Sequence, residues 1–264
     1  MSKKRRIISL LTMILTLFTL SVNGQATSAY IDKSKVDNGV INVNYNSSKS
    51  VAVRVSKGNT NYDYILNGNN TIPLQSGDGD YIISILENVE GKKFKQIAKE
   101  TVTLKALNPN EVYLQSIQMI NWNNEMNAIK KAKELTKNAK NDKEKATAIY
   151  NYIVNTISYD NDKASRTSSN YIPNIDSTLK AQKGICYDYA SLTASMLRSV
   201  NVPTKLIMGY KNDIKEYHAW NQVYLQDTNE WITIDTTYDA GLKNGNTKVT
   251  MIKDIKEYKI EKQY

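Results

Sequence analysis

The sequence predicts an α+β protein: a small all-β, Ig-like sandwich over residues 30–107, then a domain of helices and antiparallel strands over residues 108–264. Three observations carry that prediction. Apolar and polar residues alternate from Tyr30 to about Leu107, the period of half-buried strands. At Asn108-Pro109 the period changes to that of helices, and after Pro203 it returns to strands.

In the first half, Ile41, Val43 and Tyr45 alternate with Asn42 and Asn44, and Val51, Val53 and Val55 alternate with Ala52 and Arg54. Turn signals fall at Asn67-Gly68-Asn69-Asn70, Ser76-Gly77-Asp78-Gly79 and Glu90-Gly91. Short strands with regular turns are the pattern of a sandwich. This half has no His, no Cys and no clustered acids, so it reads as a binding or spacer module.

In the second half, Asn108 reads as an N-cap with Pro109 at the first helical position, opening a helix to about Ile120. A second helix spans about Asn124 to Asn138. The third opens with Asn141 and Glu144 at capping-box spacing, and Ala146, Ile149, Tyr150, Ile153 and Ile157 follow at helical intervals. The polar stretch Asp160–Ser177 reads as a long loop bordering a site. A helical turn at Leu179–Lys183 is stopped by Gly184, and a helix runs from Cys186 to about Val200, ended by Asn201 and Pro203. Strands follow at Lys205–Tyr210, His218–Leu225 and Trp231–Asp235, the last two joined through Asp227-Thr228-Asn229.

Ahead of both halves, Lys3-Lys4-Arg5-Arg6 precedes an apolar run from Ile7 to Val22 and then small residues, the layout of a secretory signal peptide over residues 1–29. Cleavage is expected after Ala29 or after Gly24, which makes the protein secreted or held at the cell surface. If uncleaved, the leader is the only membrane contact the sequence offers. Removing it lowers the net charge from +9 to +5, because it carries four basic residues and no acid. No dense Lys/Arg stripe remains, which argues against a nucleic-acid partner. A mildly basic surface suits an anionic cell wall.

Composition also narrows the chemistry. One cysteine rules out a disulfide scaffold, and one Cys with one His rules out a zinc site of Cys/His type. Cys186 lies at a helix start, where unpaired N–H groups and the helix dipole stabilise a thiolate. His218, the only histidine, has a side chain suited to proton transfer near neutral pH. Asp235 closes the next strand, at the same edge of the hairpin as His218. With the turn centred on Thr228 the two are offset by three residues, about 10 Å of strand rise. A bulge, or a turn centred one residue earlier, closes much of that gap.

Three segments carry a resemblance. Gly184-Ile185-Cys186-Tyr187-Asp188-Tyr189-Ala190, His218-Ala219-Trp220-Asn221 and Trp231-Ile232-Thr233-Ile234-Asp235-Thr236-Thr237, in that order, resemble the transglutaminase-like core over roughly Glu144 to Ala240. The resemblance implies a papain-like α+β fold with Cys186 as nucleophile, His218 as base and acid, and Asp235 as the residue that orients it. Thr236 departs from the Pro that many members carry there. The implied chemistry is acyl transfer through a thioester. Its oxyanion would be held by the backbone N–H of Cys186 and a second donor, for which Gln182 and Tyr159 are the candidates. No metal or organic cofactor is implied, and no acidic loop supports calcium dependence. The substrate expected is a protein or peptidoglycan amide, with the β module contacting the wall. A cysteine protease of the same fold and a non-catalytic wall-binding or assembly protein are the alternatives.

Overall fold

The structure, a computed structural model, describes residues 30–264 apart from positions 69, 169 and 246, together with the backbone of residues 16–18. The expected leader lies outside the described residues except for strand β1 (Thr16–Phe18). Two compact units divide the described chain at Gln118/Met119.

The first unit is β-rich. Strands β2 (Ile31–Asp32), β3 (Val40–Val43) and β6 (Thr71–Pro73) form a three-stranded antiparallel sheet. Strands β4 (Val51–Lys57), β5 (Thr60–Ile65), β7 (Gly79–Glu90) and β8 (Lys93–Leu104) form a larger one in the order β8-β7-β4-β5, with β1 parallel to β8 at its edge. Alternation places Val53, Val55, Ile83 and Ile85 in the core. Ala52 departs from it: it is buried with Leu86 and Phe94 in a small cluster of its own, so β4 is covered on both faces there. Arg54 stays on the outer face and meets its cross-strand partner Asp63 through two hydrogen bonds of 2.7 and 2.9 Å.

The unit extends past the expected boundary at residue 107. The helix expected from Asn108 to Ile120 shrinks to a single 3-10 turn at Glu111–Leu114, after which Gln115 is extended. Tertiary ties override the helical pattern. Tyr113 Oη donates to Gln75 O, and Gln118 Nε2 donates to Ile65 O and to Asn67 Oδ1. Val112 packs so closely on Gly39 that a Cβ there would lie 2.6 Å from its own.

The second unit layers helices α1 (Asn127–Thr136), α2 (Asp142–Thr156) and α5 (Cys186–Ser199) with an antiparallel sheet. The sheet order is β14-β13-β12-β11-β15, built from β11 (Thr204–Lys211), β12 (Ile214–Leu225), β13 (Glu230–Ile234), β14 (Ile252–Lys253) and β15 (Tyr258–Gln263). Ile149, Ile153, Leu192, Met196, Val223 and Ile234 meet in one core. The Asn141 cap of α2 forms as its sequence indicates, Asn141 Oδ1 accepting the Glu144 N–H at 2.9 Å; the Glu144 carboxylate does not close the box on Asn141 but accepts the Lys140 N–H at 2.8 Å, one residue further back. Asn141→Ala is expected to cost about 1 kcal/mol, read from urea unfolding as a lower midpoint at unchanged slope.

Residues 160–177 are not one loop. Asp160 caps α3 (Asn161–Arg166) and Asn174 caps α4 (Ile175–Ala181), each side chain accepting an N–H three residues on. Helix α4 therefore starts earlier than expected and ends earlier too, at Gln182, whose φ of 49° supplies the left-handed cap. Gly184 does not stop that helix. It lies in the two-residue strand β10 (Lys183–Gly184), parallel to β9 (Ser158–Tyr159). A glycine is needed there for space, since a Cβ would come 2.7 Å from Cβ of Asp188.

Candidate active site

Cys186 is the first residue of α5 and is partly exposed. Its backbone N–H therefore belongs to the turn that has no helical acceptor. The position is held from two sides. Tyr189 Oη donates to Ile157 O at 2.6 Å, tying α5 to the end of α2. Asp188, fully buried, accepts the Ile185 N–H at 2.8 Å, Lys163 Nζ at 2.7 Å and the hydroxyl of Tyr171. The residue just before Cys186 is thus fixed by a carboxylate whose charge is neutralised from the 160–177 segment.

His218 sits inside β12, which begins four residues earlier than expected, at Ile214. The hairpin pairs Leu225 with Glu230 and Asn221 with Ile234, so the turn is centred between Asp227 and Thr228. The offset between His218 and Asp235 is therefore two residues, not three. Two residues along a strand return a side chain to the same face, and the diagonal is within reach of an imidazole. Nε2 of His218 lies 2.7 Å from Asp235 Oδ2. Asp235 has left the strand to cap α6 (Thr236–Asn244), its Oδ1 accepting the Tyr238 N–H at 3.0 Å.

A carboxylate only accepts, so Nε2 carries a proton and Nδ1 is the ring nitrogen left to face Cys186. Burial works against a charged ring here. The Asp235 carboxylate and Cys186 outweigh it and raise the His218 pKa from 6.5 to about 10. The ring is an imidazolium at neutral pH. Because the folded value is the higher one, the stabilisation is complete below pH 6.5 and is lost as pH rises through about 10. Thermal melts from pH 6 to pH 10.5 are expected to show this loss in the wild type and a flatter profile in Asp235→Asn.

Trp220 stacks on the His218 ring, with centroids 6.0 Å apart, and its buried indole N–H has no partner among the described residues. Asn221 donates to Ala190 O of α5 and to Lys205 O of β11, joining helix and sheet.

The two expected oxyanion donors are placed differently. Tyr159 pairs with Gly184 in the β9–β10 ladder, two residues before Cys186, and is 40% exposed. Burial, followed by interaction with Cys186 and the negative charges of Glu216, Asp160 and Asp188, pushes its hydroxyl up to about 12, so it keeps its proton as a donor. Gln182 is exposed, and its carbonyl accepts the Ser158 N–H and Oγ at 2.9 and 3.1 Å. Its evident work is to pin β9. Among the described residues no group of three or more His, Cys, Asp or Glu side chains could hold a metal ion.

Sequence reasoning assigned no role to Asp188, Lys163, Tyr171, Trp220 or Tyr258. Asp188 was within reach, because an acid at the third position of a helix is a capping signal. Lys163, Tyr171 and Tyr258 carry no local signal.

These elements define a thiol–imidazole–carboxylate constellation on an α+β scaffold, and the comparisons agree with that class: residues 129–236 match the family model described as the transglutaminase-like superfamily, so the chain contains a domain of that superfamily. Among particular proteins, the chain is similar to the UPF0252 protein MJ1282 of Methanocaldococcus jannaschii, 35% identical over 112 residues. That match covers 38% of this chain and 32% of the relative, so the chain spans about a third of the relative's length. Two solved structures are also similar. The periplasmic domain of TgpA from Pseudomonas aeruginosa is 12% identical, with a TM-score of 0.42 over 81% of this chain and 94% of that one. Red sea bream transglutaminase is 12% identical, with a TM-score of 0.33 over 75% and 47%.

Proposed function

We propose that the protein is an exported cysteine acyltransferase or amidohydrolase that acts on glutamine or peptide amides through a thioester. The observation that supports this most directly is the 2.7 Å hydrogen bond between His218 and Asp235, with Cys186 at a helix start as a further electrostatic partner of the His218 ring. In this reading Cys186 Sγ attacks the amide carbon and an oxyanion forms. The Cys186 N–H and the Tyr159 hydroxyl, or the Gln182 amide, hold that oxyanion. The C–N bond then breaks as His218 gives its Nδ1 proton to the departing nitrogen, which leaves as an amine, or as ammonia when glutamine is the donor. The thioester next passes its acyl group to a second amine or to water, and His218 takes up the proton of the attacking group.

The leader-like segment and the β-rich unit support action at a cell surface, with the β unit contacting the wall or a partner and protein or peptidoglycan amides as substrates. The test is incubation with a glutamine peptide and a fluorescent amine, followed by mass spectrometry. Amine incorporation identifies an acyltransferase, conversion of glutamine to glutamate a deamidase, and backbone cleavage a protease. No modification of glutamine peptides, proteins or peptidoglycan fragments would overturn the reading.

A further inference from the structure

We propose that Tyr258, on the C-terminal strand β15, is a positioning residue of the His218–Asp235 pair, its hydroxyl holding Asp235 Oδ2 and sharing the charge of the carboxylate that faces the imidazole. Its role in turnover rests on the function proposed above; its role in the pair does not. Tyr258 lies beyond residue 236, where the family match ends. Strand β15 runs antiparallel to β11 and pairs Tyr258 with Lys211. This pairing needs Gly209, since a Cβ there would lie 2.0 Å from Lys259 O and 3.0 Å from the Trp220 ring.

The Tyr258 side chain is buried, and its ring packs on Trp220 with centroids 4.9 Å apart, so Trp220 contacts the rings of both Tyr258 and His218. Its hydroxyl is 3.2 Å from Asp235 Oδ2, the oxygen that meets His218. Burial first, and then Asp235, Asp239 and Glu257, raise its pKa, so it donates at every working pH. The other charged and titratable groups around the pair are Cys186 on α5, Tyr150 on α2 and Asp239 on α6, which bond to each other, Lys253 on β14, which neutralises Asp239, and Lys211 on β11, whose Nζ is 5.6 Å from the Tyr258 ring. Lys211 is itself neutralised by Asp213 and Glu257.

Asp235 thus receives three donors: Tyr238 N–H on Oδ1, and His218 and Tyr258 on Oδ2. Two donors on one oxygen divide its charge. Without the Tyr258 hydroxyl the carboxylate holds the imidazolium proton more tightly. The proton is then harder to give to a leaving amine.

Tyr258→Phe keeps the ring stack and removes only the hydroxyl. His218 is the only histidine, so in protein labelled with ¹³C-histidine a single ring resonance reports its titration. The expected result is an upward shift of the His218 titration by about half a unit, in protein whose circular dichroism matches the wild type. In an Asp235→Asn background the same substitution is expected to produce no shift, because the shared oxygen has gone. An unchanged or lowered His218 titration in folded Tyr258→Phe overturns the proposal, and so does an equal shift in both backgrounds. The function proposed above stands or falls separately, on turnover of the glutamine peptide by the wild type.

Discussion

Asp235→Asn is expected to lower turnover of a glutamine peptide roughly a thousandfold or more while the protein stays folded. The reason lies in which oxygen does what. Oδ1 accepts the Tyr238 N–H at the start of α6, and Asn is as good a cap as Asp. The carboxamide therefore keeps its oxygen at that position and presents its NH₂ where Oδ2 stood. There it faces two donors, Nε2–H of His218 and the Tyr258 hydroxyl. The Tyr258 hydroxyl can rotate to accept, whereas the imidazole must change tautomer and put its proton on Nδ1, toward Cys186. A ring in that state cannot take the thiol proton, and it has lost the charge that paired it with a thiolate. Steady-state assays beside thermal melts check this. Retained turnover would remove Asp235 from the mechanism.

Asp188→Ala is expected to destabilise the protein by about 3–5 kcal/mol, a large share of the roughly 5–15 kcal/mol that holds a typical domain folded. The carboxylate is completely buried and neutralises Lys163, whose side chain is only 30% exposed. Alanine leaves that ammonium facing the Tyr171 ring, 4.4 Å from its centroid, without its counter-charge. It also leaves the Tyr171 hydroxyl and the Ile185 N–H without their acceptor. Urea unfolding measures the loss, and a ΔΔG below about 1 kcal/mol would contradict the account. Asp188→Asn keeps the volume and one acceptor, so it is expected to lie between alanine and wild type.

The parts of this protein legible along the chain are those governed by neighbours in sequence. Alternation in residues 30–107 reflects the period of a strand, and the run from Ala146 to Ile157 reflects the period of a helix. The Asn141 cap is a local hydrogen bond and forms as written. Residues 160–177 read as one loop because their polar composition masks two Asx caps, at Asp160 and Asn174. Residues 108–120 show the opposite case: their helical pattern is genuine, but contacts with Gly39, Gln75 and Ile65 pull the segment out of a helix. Along the chain Gly184 reads as punctuation, whereas its absent side chain makes room for Asp188.

By itself the sequence determined the α+β class and the helix start at Cys186, and it singled out Cys186, His218 and Asp235 as candidates. Each of these depends on local spacing or on a residue that occurs only once. The tertiary structure decided the rest. The half-residue position of the turn brings His218 and Asp235 to 2.7 Å, Lys163 reaches Asp188 from a separate helix, and β15 delivers Tyr258 to the same carboxylate. Hydrogen bonds and charge act over a few ångströms of space whatever the separation along the chain, so pairings of this kind leave no periodic trace in a single sequence.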